Sequence, residues 1–170
     1  MIEATERRDA RLSREQRRAI VLDAAARLFY ARGPRGVGMD ELVRATGLGK
    51  MTVYRLFPSK DELVGAYLAQ KAATILDLID ADIARHPDDP RGALLAVMDA
   101  IERDVTSEGF RGCAFNNAAI EYEALEHPAR VAATGYKMAL HQRLTTLAER
   151  VCPGHGGQRA AELHLVIDGM

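Results

Sequence analysis

Residues 47–57 read GLGKMTVYRLF, and within that stretch Lys50, Met51, Thr52, Tyr54 and Arg55 crowd into six positions, with Lys60 five residues further on. Lys50, Tyr54 and Arg55 can donate to phosphate oxygens or guanine edges, and Met51 and Thr52 can meet base edges. That chemistry requires one helix face to present all of them together. The spacing provides such a face: Val53, Leu56 and Phe57 at i, i+3 and i+4 turn inward, which leaves the others largely outside. Immediately upstream, Gly47-Leu48-Gly49 joins this helix to a preceding short one, as in a helix-turn-helix, with Leu48 plugging the angle from inside. The plainer alternative makes these ordinary surface residues and Tyr54 a core aromatic.

Lys60 falls in the first turn of the next helix, where the macrodipole disfavours a cation by a few tenths of a kcal/mol. A phosphate at that helix end would accept from both the lysine and the free backbone N–H groups; neutralisation by Asp61 and Glu62 is the competing account. Upstream, Arg7, Arg8, Arg11, Arg14, Arg17 and Arg18 form a basic approach suited to a DNA backbone, or else a solvated tail. Residues 1–60 carry 13 Lys/Arg and 7 Asp/Glu, net +6, and residues 61–170 carry 10 and 17, net −7, a contrast that the overall charge of −1 conceals. A basic head on an acidic body suits a polyanion partner, although charge alone leaves a solvated helix surface equally open.

Other chemistries find little support. Cys113 and Cys152 lie far apart with no C-x-x-C pairing, which argues for reduced thiols rather than a disulfide or zinc site. Cys113 with His127 or His141 has no motif of a nucleophile and base. His127, His141, His155 and His164 lack the H-E-x-x-H spacing of a metal site. Neither catalysis, nor a cofactor, nor a metal is expected. No apolar run approaches the ~20 residues of a membrane helix, and the N-terminus is too charged for a secretory signal, so a cytoplasmic chain is expected.

Helical periodicity recurs throughout, without the alternation of strands, so the expected fold is all-α. Ile20, Val21, Ala24, Ala25, Leu28 and Phe29 mark a helix over about 14–32, ended by Gly33-Pro34. Met39, Leu42 and Val43 mark a second, stopped by Gly47, and the GLGKMTVYRLF helix stops at Pro58. Ser59-x-x-Glu62 reads as a capping box opening a long helix at Lys60 that runs to His86-Pro87. PDDP starts another with Leu94, Leu95, Met98, Ile101 and Val105, fading at Gly109. One helix is expected from Cys113 to about Glu123, one from Pro128 to about Val151, then a loop over Pro153 to Gly157. The final segment reads as a helix cut off at Met170.

Ala24 to Leu68, with AAARLF, Gly33 and Gly36, DELV, G-L-x-K-x-T-V-Y-x-x-F and P-S-K-D-E-L in order, resembles the DNA-binding domain of the tetracycline-repressor (TetR/AcrR) family of bacterial transcriptional regulators. The resemblance implies an N-terminal three-helix, homeodomain-like helix-turn-helix domain over 1–58. An effector-binding and dimerisation domain over 59–170 follows, incomplete at its C-terminus. It also implies a homodimer reading half-sites about one helical turn, or a small multiple, apart. Thr52, Tyr54 and Lys60 would touch DNA, with Lys50 and Met51 beside them. Gly38 and Gly49 stand where the family commonly has Ser or Thr caps, and Leu56 where many members carry His.

FRGCAFNNAAIEYEALEHPAR, Phe110 to Arg130, resembles the family's G-C-x-x-x-N-A-A-x-E segment before an HP helix start. That implies Asn117 and Glu121 on one face beside an effector cavity, lined by Met98, Ile101, Val105, Phe110, Cys113, Ile120 and Tyr136. Spacing equally permits an exposed Glu121, an Asn117 that caps a neighbour, and plain core for the rest. The expected function is a DNA-binding regulator, a repressor released from its operator by a small molecule. The alternative is a helical dimeric interaction protein without sequence-specific DNA binding.

Overall fold

The computed structural model of the chain describes residues 11–170, which contain eight α-helices and no strand. α1 spans Arg14–Arg32. Its N-terminus is closed reciprocally: Gln16 N–H donates to Ser13 Oγ at 3.1 Å and Ser13 N–H to Gln16 Oε1 at 2.8 Å, satisfying two donors that would otherwise have no helical acceptor. Val21, Leu22, Ala24, Ala25 and Phe29 are its buried stripe. Gly33, at φ 72°, ends it by taking a backbone angle that L side chains rarely adopt.

α2 (Met39–Thr46) and α3 (Lys50–Leu56) enclose the turn. Gly47 is left-handed at φ 64°, and the buried Thr46 hydroxyl donates to Val43 O at 2.8 Å and accepts from Leu48 N–H at 3.1 Å. Leu48, Val53 and Phe57 are all buried, so the angle between α2 and α3 is set by packed side chains as well as by the glycine.

α4 (Lys60–Ala84) is the longest element, and its start is capped by Ser59 Oγ accepting from Glu62 N–H. Twenty-five residues give it a length of about 37 Å, enough to pack on α1 at one end and on the body along the rest. α5 (Pro90–Val105) begins at Asp89, whose carboxylate accepts from Gly92 N–H at 2.8 Å. α6 spans Ala114–Glu121 and α7 Pro128–Val151. α4 and α7 meet at Gly65, where a Cβ would stand 2.6 Å from Pro128 Cβ. The buried residues form one cluster that runs from Val21 through Leu63 and Leu68 to Leu140 and Leu144.

Two boundaries differ from the sequence reading. α6 stops at Glu121 rather than Glu123, because its end turns onto the α1–α2 loop, as described below. α8 spans Gly156–Gly169, so two residues expected in a loop begin a helix. The cause is Glu149, whose carboxylate accepts from Gly154 N–H at 2.6 Å and Gly156 N–H at 2.9 Å and folds the chain back onto α7. Those bonds hold the Glu149 carboxyl below its ordinary range.

Candidate nucleic-acid interface

α3 divides by face. Val53 is fully buried, Lys50, Met51 and Arg55 are exposed, and Thr52 and Tyr54 are half-buried at the margin. Met51, 67% exposed, is the most prominent apolar group of this face, a placement that costs hydration and suits contact with a groove floor or a thymine methyl. Lys50 Nζ donates to Asp40 Oδ1 at 2.8 Å and lies 5.8 Å from the Tyr54 ring centroid. The pair lowers the Asp40 carboxyl and raises the Lys50 ammonium from their ordinary values. Both partners are exposed, so exchange of Asp40 for a phosphate costs little.

Lys60 is held differently. Its ammonium donates to Pro34 O at 3.3 Å and Val37 O at 3.4 Å, so the cation leaves its own helix dipole and braces the start of α4 against the α1–α2 loop. Two acceptors leave one of the three ammonium donors for an incoming oxygen. Arg18 reaches the same region from α1, with its guanidinium 5.3 Å from the Phe57 ring. Arg11 and Arg14 are exposed, Arg17 donates to Leu12 O at 2.6 Å, and Arg7 and Arg8 lie outside the described residues.

The residues expected around an effector cavity are held in different ways. Ile120 is 80% exposed and faces away from the interior. Asn117 is exposed too, and its Nδ2 donates to Arg111 O at 3.1 Å, which braces the α5–α6 loop. Glu121 reaches the head: its Oε1 accepts from Arg35 N–H at 2.7 Å, and the Arg35 guanidinium donates to Glu121 O. Short α6 thus spends its polar face on a loop and on the head. Met98, Ile101, Val105, Phe110 and Cys113 are half-buried. Tyr136 is buried and stacks on Phe115 at 3.8 Å between centroids, and burial raises its phenol above the ordinary value. Sequence reasoning passed over Phe115, although Phe115, Ala118 and Tyr122 recur at the three- and four-residue spacing of a buried face.

A second junction binds head to body, since Arg111 N–H donates to the Tyr30 hydroxyl at 3.1 Å. Beside it a cleft of about 600 Å³ opens between α1, α4 and the α5–α6 loop, and its lining includes none of the residues expected around an effector cavity.

Comparison with known proteins follows the same outline. A sequence profile described as "Bacterial regulatory proteins, tetR family" matches residues 21–67. A TetR-family transcriptional regulator from Streptomyces coelicolor aligns structurally at TM-score 0.85 and 35% identity, over 90% of this chain and 80% of that one. FasR, an HTH-type transcriptional activator of Mycolicibacterium smegmatis, is 35% identical over 108 residues, 62% of this chain and 48% of its own. An HTH-type transcriptional repressor of Mycobacterium tuberculosis is 34% identical over 97 residues, 55% of this chain and 52% of its own. The matched region thus spans about half the length of these two curated relatives.

Proposed function

This chain belongs to the TetR family of bacterial regulatory proteins, and on that premise we propose that it regulates transcription as a homodimer, binding operator DNA and leaving it when a small molecule is bound. The observation that carries the reading is the divided α3, with Val53 buried beneath an exposed Lys50, Met51 and Arg55. Met51 and Thr52 meet base edges, while Lys50, Tyr54, Arg55 and Lys60 hold phosphates and set the register. Residues 1–58 form the DNA-binding unit and 59–170 the responsive one. Relatives of similar identity include an activator and a repressor by name, and we take repression as the working sense.

Dimerisation draws support from α7 and α8, where Met138, Leu165 and Val166 are apolar and more than half exposed. The protein acts in the cytoplasm, where bacterial DNA lies; among the described residues no helix is long and apolar enough to cross a membrane. Coupling runs through the Glu121–Arg35 and Arg111–Tyr30 bonds, which tie the body to the α1–α2 loop and to α1. A ligand shifts operator binding only by its differential affinity for the two head positions.

A gel shift with the intergenic DNA flanking the gene tests this. A specific complex should weaken steeply with salt, lose sequence discrimination in Met51→Ala or Thr52→Ala, and lose affinity uniformly in Lys60→Gln. Equal binding to random DNA would favour the helical interaction protein instead.

A further inference from the structure

The cleft between α1 and α4 has an ordered chemistry. Leu22 and Tyr67 are buried in its floor, and Ile75 continues the apolar surface along α4. Three cations line it: Arg27, Lys71 and Arg111. Arg27 is neutralised by an ion pair with Asp23, a residue of the same wall. Lys71 and Arg111 have no carboxylate partner among the described residues; Lys71 Nζ lies 5.1 Å from the Tyr30 ring centroid, and Arg111 is fixed through its backbone by the Tyr30 hydroxyl. Two cationic side chains without a carboxylate partner thus line a cleft with an aromatic and aliphatic floor, a charge pattern that suits an anion, and the volume lies within the range of small-molecule sites.

We infer that this cleft binds a small aromatic monoanion, its rings on Leu22, Tyr67 and Ile75 and its carboxylate between Lys71 and Arg111. The inference rests on the regulatory reading above and names the place and ligand class of its effector. The position supplies the coupling: one wall is α1 of the head, the other α4, and the rim is the α5–α6 loop of the body. An occupant touching all three favours one head position over another, as differential affinity requires.

The test uses 2-naphthoate as probe and 2-naphthylmethanol as its neutral analogue, titrated into the full chain without DNA and followed by amide NMR. Naphthoate should shift the Gly109, Arg111 and Lys71 amides. It should bind at least roughly tenfold more tightly than the alcohol, and lose about that factor in the Lys71→Gln, Arg111→Gln double variant. Equal affinity for acid and alcohol, shifts centred on Phe115 and Tyr136, or no saturable shift would each overturn the assignment. Because binding is read without DNA, its failure is distinct from failure to bind an operator. If naphthoate saturates the cleft and operator affinity is unchanged, the effector role falls.

Discussion

Gly65→Ala adds one methyl group where α4 crosses α7. Its Cβ would lie 2.6 Å from Pro128 Cβ, 3.0 Å from Pro128 C and 3.1 Å from Pro128 O. None of these atoms ends a flexible side chain, since all belong to a proline ring or backbone in the first turn of α7, so relief requires the two helices to part. Alanine favours the helix over glycine by ~1 kcal/mol, whereas overpacking costs ~1–3 kcal/mol, and the rigidity of Pro128 places this site toward the upper end. The net expectation is a loss of ~1–2 kcal/mol, which for a chain of this size lowers Tm by about 2–8 °C. Thermal melting followed by circular dichroism at fixed protein concentration measures it. An unchanged or raised Tm would show that helix propensity outweighs the contact and would refute the close approach of α4 and α7.

Three further perturbations probe other contacts. Gly38→Ser should raise stability by a few tenths of a kcal/mol in chemical denaturation, because Gly38 caps α2 at φ −86° with open space around it and offers no hydroxyl to the free N–H groups. Tyr122→Phe removes a buried hydroxyl that has no partner among the described residues, and burial together with Glu121 and Asp61 pushes that phenol up to about 12; stability should be unchanged or higher by ~1 kcal/mol, and a clear loss would reveal a bonded water. Glu149 is depressed in the folded chain, so its contribution is complete above the ordinary carboxylate range and is lost as pH falls through the folded value. The protection of the Gly154 and Gly156 amides, measured by hydrogen exchange against the intrinsic rate at each pH, should therefore fall in acid, and Glu149→Gln should remove that fall.

The helices were legible because local rules mark their ends. Gly33, Gly47, Ser59 and Pro128 each act through their own backbone or within one turn, and α1 ends and α4 and α7 start where those signals lie. The divided face of α3 was equally legible, since Val53 and Phe57 declare its inner side by spacing alone. α8 began earlier than read because its start depends on Glu149, a residue of the preceding helix whose reach across a tight turn no periodicity reports.

The sequence by itself determined an all-helical chain, the helix-turn-helix and the side chains α3 exposes, because each follows from contacts within a few residues. Tertiary structure alone decided how those side chains are held and what lies beside them. Lys60 braces Pro34 and Val37, Lys50 leans on Asp40, and Glu121 leaves the body to hold Arg35. Tyr30 takes the Arg111 backbone N–H on its hydroxyl, across 81 positions of chain, and the Lys71 ammonium against its ring. Such meetings depend on where whole helices pack, and packing is set by the summed burial of many residues rather than by the few that meet.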